Sequence, residues 1–272
     1  MMYRSHVPAA PLDSVIENLW SLSDTPHHTR ERILPSGTQE LVINLCDDEL
    51  RIYDPEHGER CRRLSGAIVS GAYRGSFVID TLEHASVIGV HFRPGGAAPF
   101  LGVPAGALAD AHVDLDALWG RRAGELRERL CEASPERRFE VLEQALVARL
   151  SRPPGRHAAV ALALGHLERN AASVGELAAR ANLSHRRFIE LFAAEIGMTP
   201  KLFGRVRRFQ GALALARRAT SADWAGLALA CGYCDQSHMI REFVAFSGFS
   251  PADLHRHRDD RVKENHVALR VA

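Results

Sequence analysis

The sequence predicts a two-domain α+β protein, with an antiparallel β-barrel or jelly-roll-like domain that ends in helices, followed by an all-α domain. Three observations predict it. The first hundred residues hold short β-type runs separated by Gly, Pro and Asp, the last hundred contain one helical pattern twice, and the two halves carry opposite net charge. At 272 residues the chain exceeds the usual size of one core, so two domains are the default expectation.

The β-type runs are VIENLWSL, ELVINL, LSGAIVSG, SFVID and SVIGVHF. Spacing of this kind, with turn residues between runs, belongs to antiparallel barrels and sandwiches. In SVIGVHF the alternation is explicit: Val87, Gly89, His91 and Arg93 share one face, and Ile88, Val90 and Phe92 share the other. From Pro99 the pattern changes to short helical pieces and then to two candidate helices, 121–132 and 135–150. Ser134 is the expected N-cap of the second and Pro135 its first helical residue. Phe139, Leu142, Leu146 and Leu150 form one stripe on it, which either packs on the barrel or pairs with a second copy. Arg152-Pro153-Pro154-Gly155 then interrupts all periodicity. The expected domains are therefore 1–152, 153–258 and a tail, 259–272.

Charge divides at the same place. Residues 1–154 carry 17 Lys and Arg against 22 Asp and Glu, net −5, while residues 155–258 carry 14 against 8, net +6. A basic half beside an acidic half suggests that only one domain meets a polyanion. No apolar run is long enough to span a bilayer and the start lacks an apolar segment, so a soluble cytoplasmic protein is expected. Five scattered cysteines, an odd number, read as reduced thiols. Cys231 and Cys234 form a CxxC, but no second pair stands at zinc spacing, so they read as small residues flanking a turn.

The repeated pattern runs LAARANLSHRRFIELFAAEIGMTP from Leu177 and LALACGYCDQSHMIREFVAFSGFSP from Leu227. Chance composition does not produce such a tandem. Each copy reads as a short helix, a tight turn and a second helix. The turn position is Asn182 in one and Gly232 in the other, the residue types that best accept a left-handed backbone. Ser184 and Asp235 stand where a side-chain oxygen caps the second helix. Phe188, Leu191 and Phe192, and likewise Met239, Ile240 and Phe243, supply the locking apolar positions. The arrangement is either a helix-turn-helix, whose second helix can enter a DNA major groove, or an ordinary αα-hairpin.

What joins the copies favours the first reading. From Thr199-Pro200 to about Arg218, Leu202, Val206, Phe209, Leu213 and Ala216 recur at helical spacing. Twenty residues make a rod of roughly 30 Å, close to the ~34 Å that separates successive major grooves on one face of B-DNA. One chain can therefore fill two grooves, with Arg205, Arg207, Arg208, Arg217 and Arg218 available for phosphates.

This region resembles the DNA-binding domain of AraC/XylS-type transcriptional regulators, and CGYCDQSHMIREFVAFSGFSPADL carries that resemblance most clearly. It covers about residues 157–257 and implies about seven helices, two helix-turn-helix units and recognition of an asymmetric DNA site. By position, the base-facing residues of the second reader would be Gln236, Ser237, His238 and Arg241. Those of the first would be His185, Arg186, Ile189 and Glu190. Arg187, Arg205 and Arg208 are the phosphate candidates. Arg suits guanine, Gln adenine and Glu cytosine N4, while the two histidines are either base contacts or exposed helix-surface residues. Ile189 and Glu190 depart from the polar or cationic readers of many relatives.

The N-terminal half is similar, more loosely, to the β-rich regulatory domain that precedes this unit in many such proteins, through ILPSGTQELVINL, GVHFRPGGA and FLGVPAGAL. That resemblance implies a domain for a small effector, for self-association, or for both. Partners would be double-stranded promoter DNA, a small-molecule effector, RNA polymerase where the protein activates, and a second copy. Candidate effector residues are Glu40, Asn44, His91 and Arg93, since polar groups on half-buried strands need partners. Arg93 could equally bond backbone carbonyls at its FRPGG corner. No cofactor, metal or catalytic role is expected. The alternative is a cupin-like metal enzyme fused to the DNA-binding module. It wants a His-x-His pair, whereas His84 and His91 lie too far apart and the adjacent His27 and His28 would diverge on a strand. A non-specific architectural protein would need only cations, not two readers with varied polar tips.

Overall fold

The computed structural model describes residues 2–23, 29–81, 86–150, 155–169, 172–218, 223–256 and 265–269. Two antiparallel sheets build its N-terminal half. One runs β1 (Met2–His6), β2 (Ile16–Ser23), β9 (Ser86–Phe92), β4 (Glu40–Asn44), β7 (Ala67–Ser70) and β10 (His112–Asp114). The other runs β11 (His266–Leu269), β3 (Arg30–Ile33), β8 (Phe77–Asp80), β5 (Glu49–Tyr53) and β6 (Cys61–Ser65).

Alternation decides what each face meets. On β9, Ile88, Val90 and Phe92 are fully buried in an apolar cluster with helical residues, while Val87 faces the space between the sheets. The helices on that outer face are α1 (Ala98–Leu101), α2 (Leu115–Trp119), α3 (Arg122–Glu132) and α4 (Arg138–Arg149). Leu142 and Leu146 of α4 are buried in the barrel's own cluster, with Phe139 and Leu150 packed at its edge. Of the two readings of that stripe, packing on the barrel is the one observed. The helix also starts later than expected. Ser134 is not its cap, because its hydroxyl bonds the Glu136 carboxylate and its carbonyl closes a turn with the Arg137 N–H at 2.9 Å.

Seven helices follow among the described residues: α5 (Ala158–Glu168), α6 (Val174–Arg180), α7 (His185–Ile196), α8 (Pro200–Arg218), α9 (Trp224–Ala230), α10 (Gln236–Ser247) and α11 (Pro251–Arg256). Phe188, Phe192, Phe203, Phe209 and Phe243 are all fully buried at their centre, each stabilising the fold by roughly 2–3 kcal/mol. Arg152, Pro153 and Pro154, where the sequence breaks, lie outside the described residues, as do His27, His28 and His84.

The helical half rests against the barrel. Leu34 and Ala72 of the barrel belong to the same apolar cluster as Phe203 and Val206 of α8. Gln210 of α8 donates to the Pro35 carbonyl at 2.6 Å, and Arg32 of β3 donates to the Ser247 carbonyl at the end of α10 at 3.1 Å. The segment set apart as a tail returns as β11 and pairs antiparallel with β3, His266 opposite Ile33 and Leu269 opposite Arg30. Val267 of that strand is buried in the helical core. Arg217, at the end of α8, donates to the His266 carbonyl at 2.7 Å.

Candidate nucleic-acid interface

Local chemistry builds both readers in the same way. Asn182 and Gly232 take positive φ, 53° and 75°, the left-handed turn that only Gly and, at some cost, Asn readily adopt. Ser184 then caps α7 by accepting from the Arg187 N–H, and Asp235 caps α10 by accepting from the His238 N–H at 2.6 Å. Each cap satisfies a backbone donor that the helix leaves free. The apolar sides face inward: Phe188 and Phe192 of α7, and Met239 and Phe243 of α10, are fully buried.

The opposite sides face water. His185, Arg186, Arg187 and Glu190 on α7 are exposed and Ile189 is half-buried. On α10, Gln236, Ser237 and Arg241 are exposed, and His238 is half-buried with its ring edge-on to Tyr233. The first reader is less acidic than its sequence suggests, because Arg186 Nε bonds Glu190 Oε1 at 2.8 Å one turn away. That bond holds the Glu190 carboxyl below its ordinary range.

Between the readers α8 runs unbroken for 19 residues, ~28 Å at a helical rise of about 1.5 Å. Its arginines are not equivalent. Arg205 gives Nε and Nη2 to the Glu242 carboxylate, and Arg208 donates to the Gly232 carbonyl at 3.0 Å while lying over the Tyr233 ring. Arg207 and Arg217 reach toward the barrel, to the carbonyls of Ser36 and His266. Those two are therefore corrected from the phosphate list, since their guanidinium groups brace the two halves of the molecule. Lys201, Arg205, Arg208 and His238 together line an open cleft between the readers.

The barrel holds a second feature, a cavity of about 60 Å³ between its sheets. The structure brings Glu40 to its wall and sets His91 Nε2 3.3 Å from Glu40 Oε1. It does not bring Asn44 or Arg93 there. Asn44 is fully buried at the end of β4, its amide donating to the Glu49 carbonyl and its Oδ1 accepting from the Cys46 N–H in the turn that follows. Arg93 donates to the Asp13 carbonyl at 3.0 Å, the backbone role open to it in the FRPGG corner. Sequence reasoning missed the titratable wall residues Glu31, His112 and His266. His112 is buried, between Tyr73 Oη at 2.5 Å and Ser70 Oγ at 3.3 Å, and burial pushes its pKa down to about 3.

Among the described residues no three His, Cys, Asp or Glu side chains gather as metal ligands. None of the five cysteines is paired. No described helix is long and apolar enough to cross a membrane.

Residues 4–114 match a family model described as a domain of unknown function, and residues 177–257 match one described as a helix-turn-helix domain. No curated protein matches the chain. Among solved structures, an apo variant of ToxT from Vibrio cholerae is similar at 9% identity and TM-score 0.48, covering 88% of this chain and 97% of that one. ToxT bound to an unsaturated fatty acid is similar at 9% identity and TM-score 0.41, covering 88% and 93%. The C-terminal domain of AraT, a response regulator from Geobacillus stearothermophilus, is similar at 17% identity and TM-score 0.36, covering 40% of this chain and 95% of that one.

Proposed function

We propose that this chain, a DNA-binding regulator of transcription with an AraC-type helix-turn-helix domain, grips one asymmetric promoter site with both readers at once and adjusts that grip through its barrel. One observation carries the reading: two capped helices pack on one unbroken α8, α7 through Phe192 against Phe203 and α10 through Phe243 against Phe209, with their polar faces in solvent. A helix presented this way fits a major groove, and two of them held on one rod can enter successive grooves on one face of the duplex.

In this reading Gln236, Ser237, His238 and Arg241 meet base edges in one groove, and His185, Arg186, Ile189 and Glu190 in the next. Arg186 bonds guanine once it leaves Glu190, and Glu190 then accepts from cytosine N4. Arg187 meets phosphate at the groove edge. The strand crossing between grooves passes the basic cleft, where Arg205 and Arg208, fixed by their internal bonds, present their remaining N–H groups. Residues 153–258 thus read DNA. Residues 1–152 sense a small molecule in the barrel cavity or pair with a second copy, and the tail ties the two parts together. The protein acts in the cytoplasm by binding, not by catalysis, with RNA polymerase as partner where it activates.

Arg241→Ala tests the reading. It is expected to cost ~1–3 kcal/mol on the specific site with little effect on unrelated DNA. Equal weakening on both DNAs in a titration would show that Arg241 touches only phosphate.

A further inference from the structure

The barrel cavity has an unusual wall. Its lining is mainly aliphatic and aromatic, two carboxylates, Glu31 and Glu40, stand in it, and no Lys or Arg does. The basic groups facing it are two imidazoles, and they are not equivalent. His112 is neutral, since burial pushes its pKa to about 3, and its two ring nitrogens are taken by Tyr73 and Ser70. His266, from the C-terminal strand β11, lies with Nδ1 2.5 Å from Glu31 Oε2. At the other carboxylate, Glu40 Oε1 is buried and makes no hydrogen bond, with His91 Nε2 an ion-pair neighbour at 3.3 Å.

A buried acceptor without a donor costs free energy until something donates to it. A ligand carboxylate would add a third negative charge to a wall without a fixed cation, and burying it there is strongly unfavourable. A neutral apolar ligand would fill the space and leave Glu40 unsatisfied. A protonated amine answers both needs, because its N–H groups donate and its charge offsets the carboxylates.

We propose that this cavity binds a small amphiphilic cation, an alkyl or aryl amine, whose ammonium group donates to Glu40 and competes with His266 for Glu31. The assignment rests on the reading of the barrel as a sensing domain and names the class of molecule sensed. It also gives occupancy a route to the DNA reader. His266 belongs to β11, whose Val267 is buried in the helical core and whose His266 carbonyl is held by Arg217 of α8.

The experiment titrates the full chain at neutral pH with n-hexylamine, 1-hexanol and hexanoate, which share an apolar body and differ in the head group. Hexylamine is expected to bind at least about tenfold more tightly than hexanol, the factor that a charge-assisted hydrogen bond supplies. Hexanoate is expected not to bind. Glu31→Gln and Glu40→Gln keep side-chain shape, and each is expected to weaken hexylamine while leaving hexanol unchanged. His266→Gln removes the competing imidazole and is expected to tighten hexylamine. Hexanol or hexanoate binding as well as the amine, or amine binding indifferent to both carboxylate variants, overturns the cation class. If that binding is lost in Val42→Phe, which fills the cavity, the sensing role survives with another chemistry. Binding by none of the three also overturns the cation class, and the sensing role falls separately if Val42→Phe leaves promoter affinity unchanged.

Discussion

Arg205 on α8 and Glu242 on α10 clasp each other from 37 positions apart, with Nη2 2.7 Å from Oε1 and Nε 3.0 Å from Oε2. Glu242 is buried, and the Arg205 guanidinium lies over the Phe246 ring. The bond fixes the second reader to the rod that carries it. Glu242→Ala is expected to lower unfolding free energy by about 1–3 kcal/mol, toward the low end because Arg205 remains 37% exposed and water screens the charge. Promoter affinity should fall with it, since α10 loses its brace. Urea unfolding and a DNA titration check both, and Glu242→Gln, which keeps an acceptor, should lose less of each. An equal loss in the two variants would mean that packing alone holds α10.

Asn182 gives a test of the first turn. Its φ of 53° puts a residue with a Cβ in the left-handed region. Asn182→Gly should leave stability unchanged or raise it slightly. Asn182→Val, β-branched and without a polar group to bond locally, should cost about 1–2 kcal/mol by thermal unfolding. No difference between the two would show that the turn relaxes to another backbone shape.

What was legible in the sequence follows from how local the physics is. Caps and left-handed turns depend on one or two residues, so Ser184, Asp235, Asn182 and Gly232 announced both readers. The stripe through Val206 and Phe209 did the same for α8. Strands with apolar alternation, such as β9, were equally plain. The strands RERI and CRRLS were not, because charged residues occupy their outer faces and only Glu31 and Ile33, or Leu64, point inward. The cavity was hidden for a stronger reason. Glu31 and His266 lie 235 positions apart, and nothing near either residue encodes the other. Amphipathic spacing shows which face of a helix is polar without naming its partner, so Arg205, Arg207 and Arg217 all read as free cations. Asn44 and Arg93 read as polar groups on half-buried strands, yet Asn44 ends β4 and Arg93 follows β9, positions where such side chains often serve the backbone of a neighbouring turn.

The seam between barrel and helices passes through Gly95. Its φ is +71°, and a Cβ built there would stand 2.5 Å from the Glu195 carbonyl oxygen of α7. Backbone cannot retreat as a flexible side chain can. Gly95→Ala is therefore expected to cost on the order of 1–3 kcal/mol and to loosen α7 from the barrel. Hydrogen exchange should show it as faster exchange at the C-terminal end of α7, with the barrel strands unchanged. Uniform loss of protection throughout the chain would point to global destabilisation instead.

His112 sets a pH dependence whose sign can be worked out. Burial lowers its folded pKa to about 3, whereas an unfolded histidine titrates near ~6.5. Between those values the unfolded chain binds the extra proton and the folded chain does not, so stability rises with pH across the window and is lost as pH falls through it. The slope from this one group is on the order of 1 kcal/mol per pH unit. Burial is the cause, and Tyr73 Oη at 2.5 Å from Nδ1 and Ser70 Oγ at 3.3 Å from Nε2 satisfy both nitrogens of the neutral ring, one as donor and one as acceptor. His112→Gln keeps polar contacts and removes the titration. Denaturant unfolding of both proteins from about pH 4.5 to about pH 6.5, inside the window named by those two values, cancels the carboxylates that they share. The parent should lose stability faster than the variant on acidification, and parallel curves would show that the His112 ring accepts its proton in the folded state.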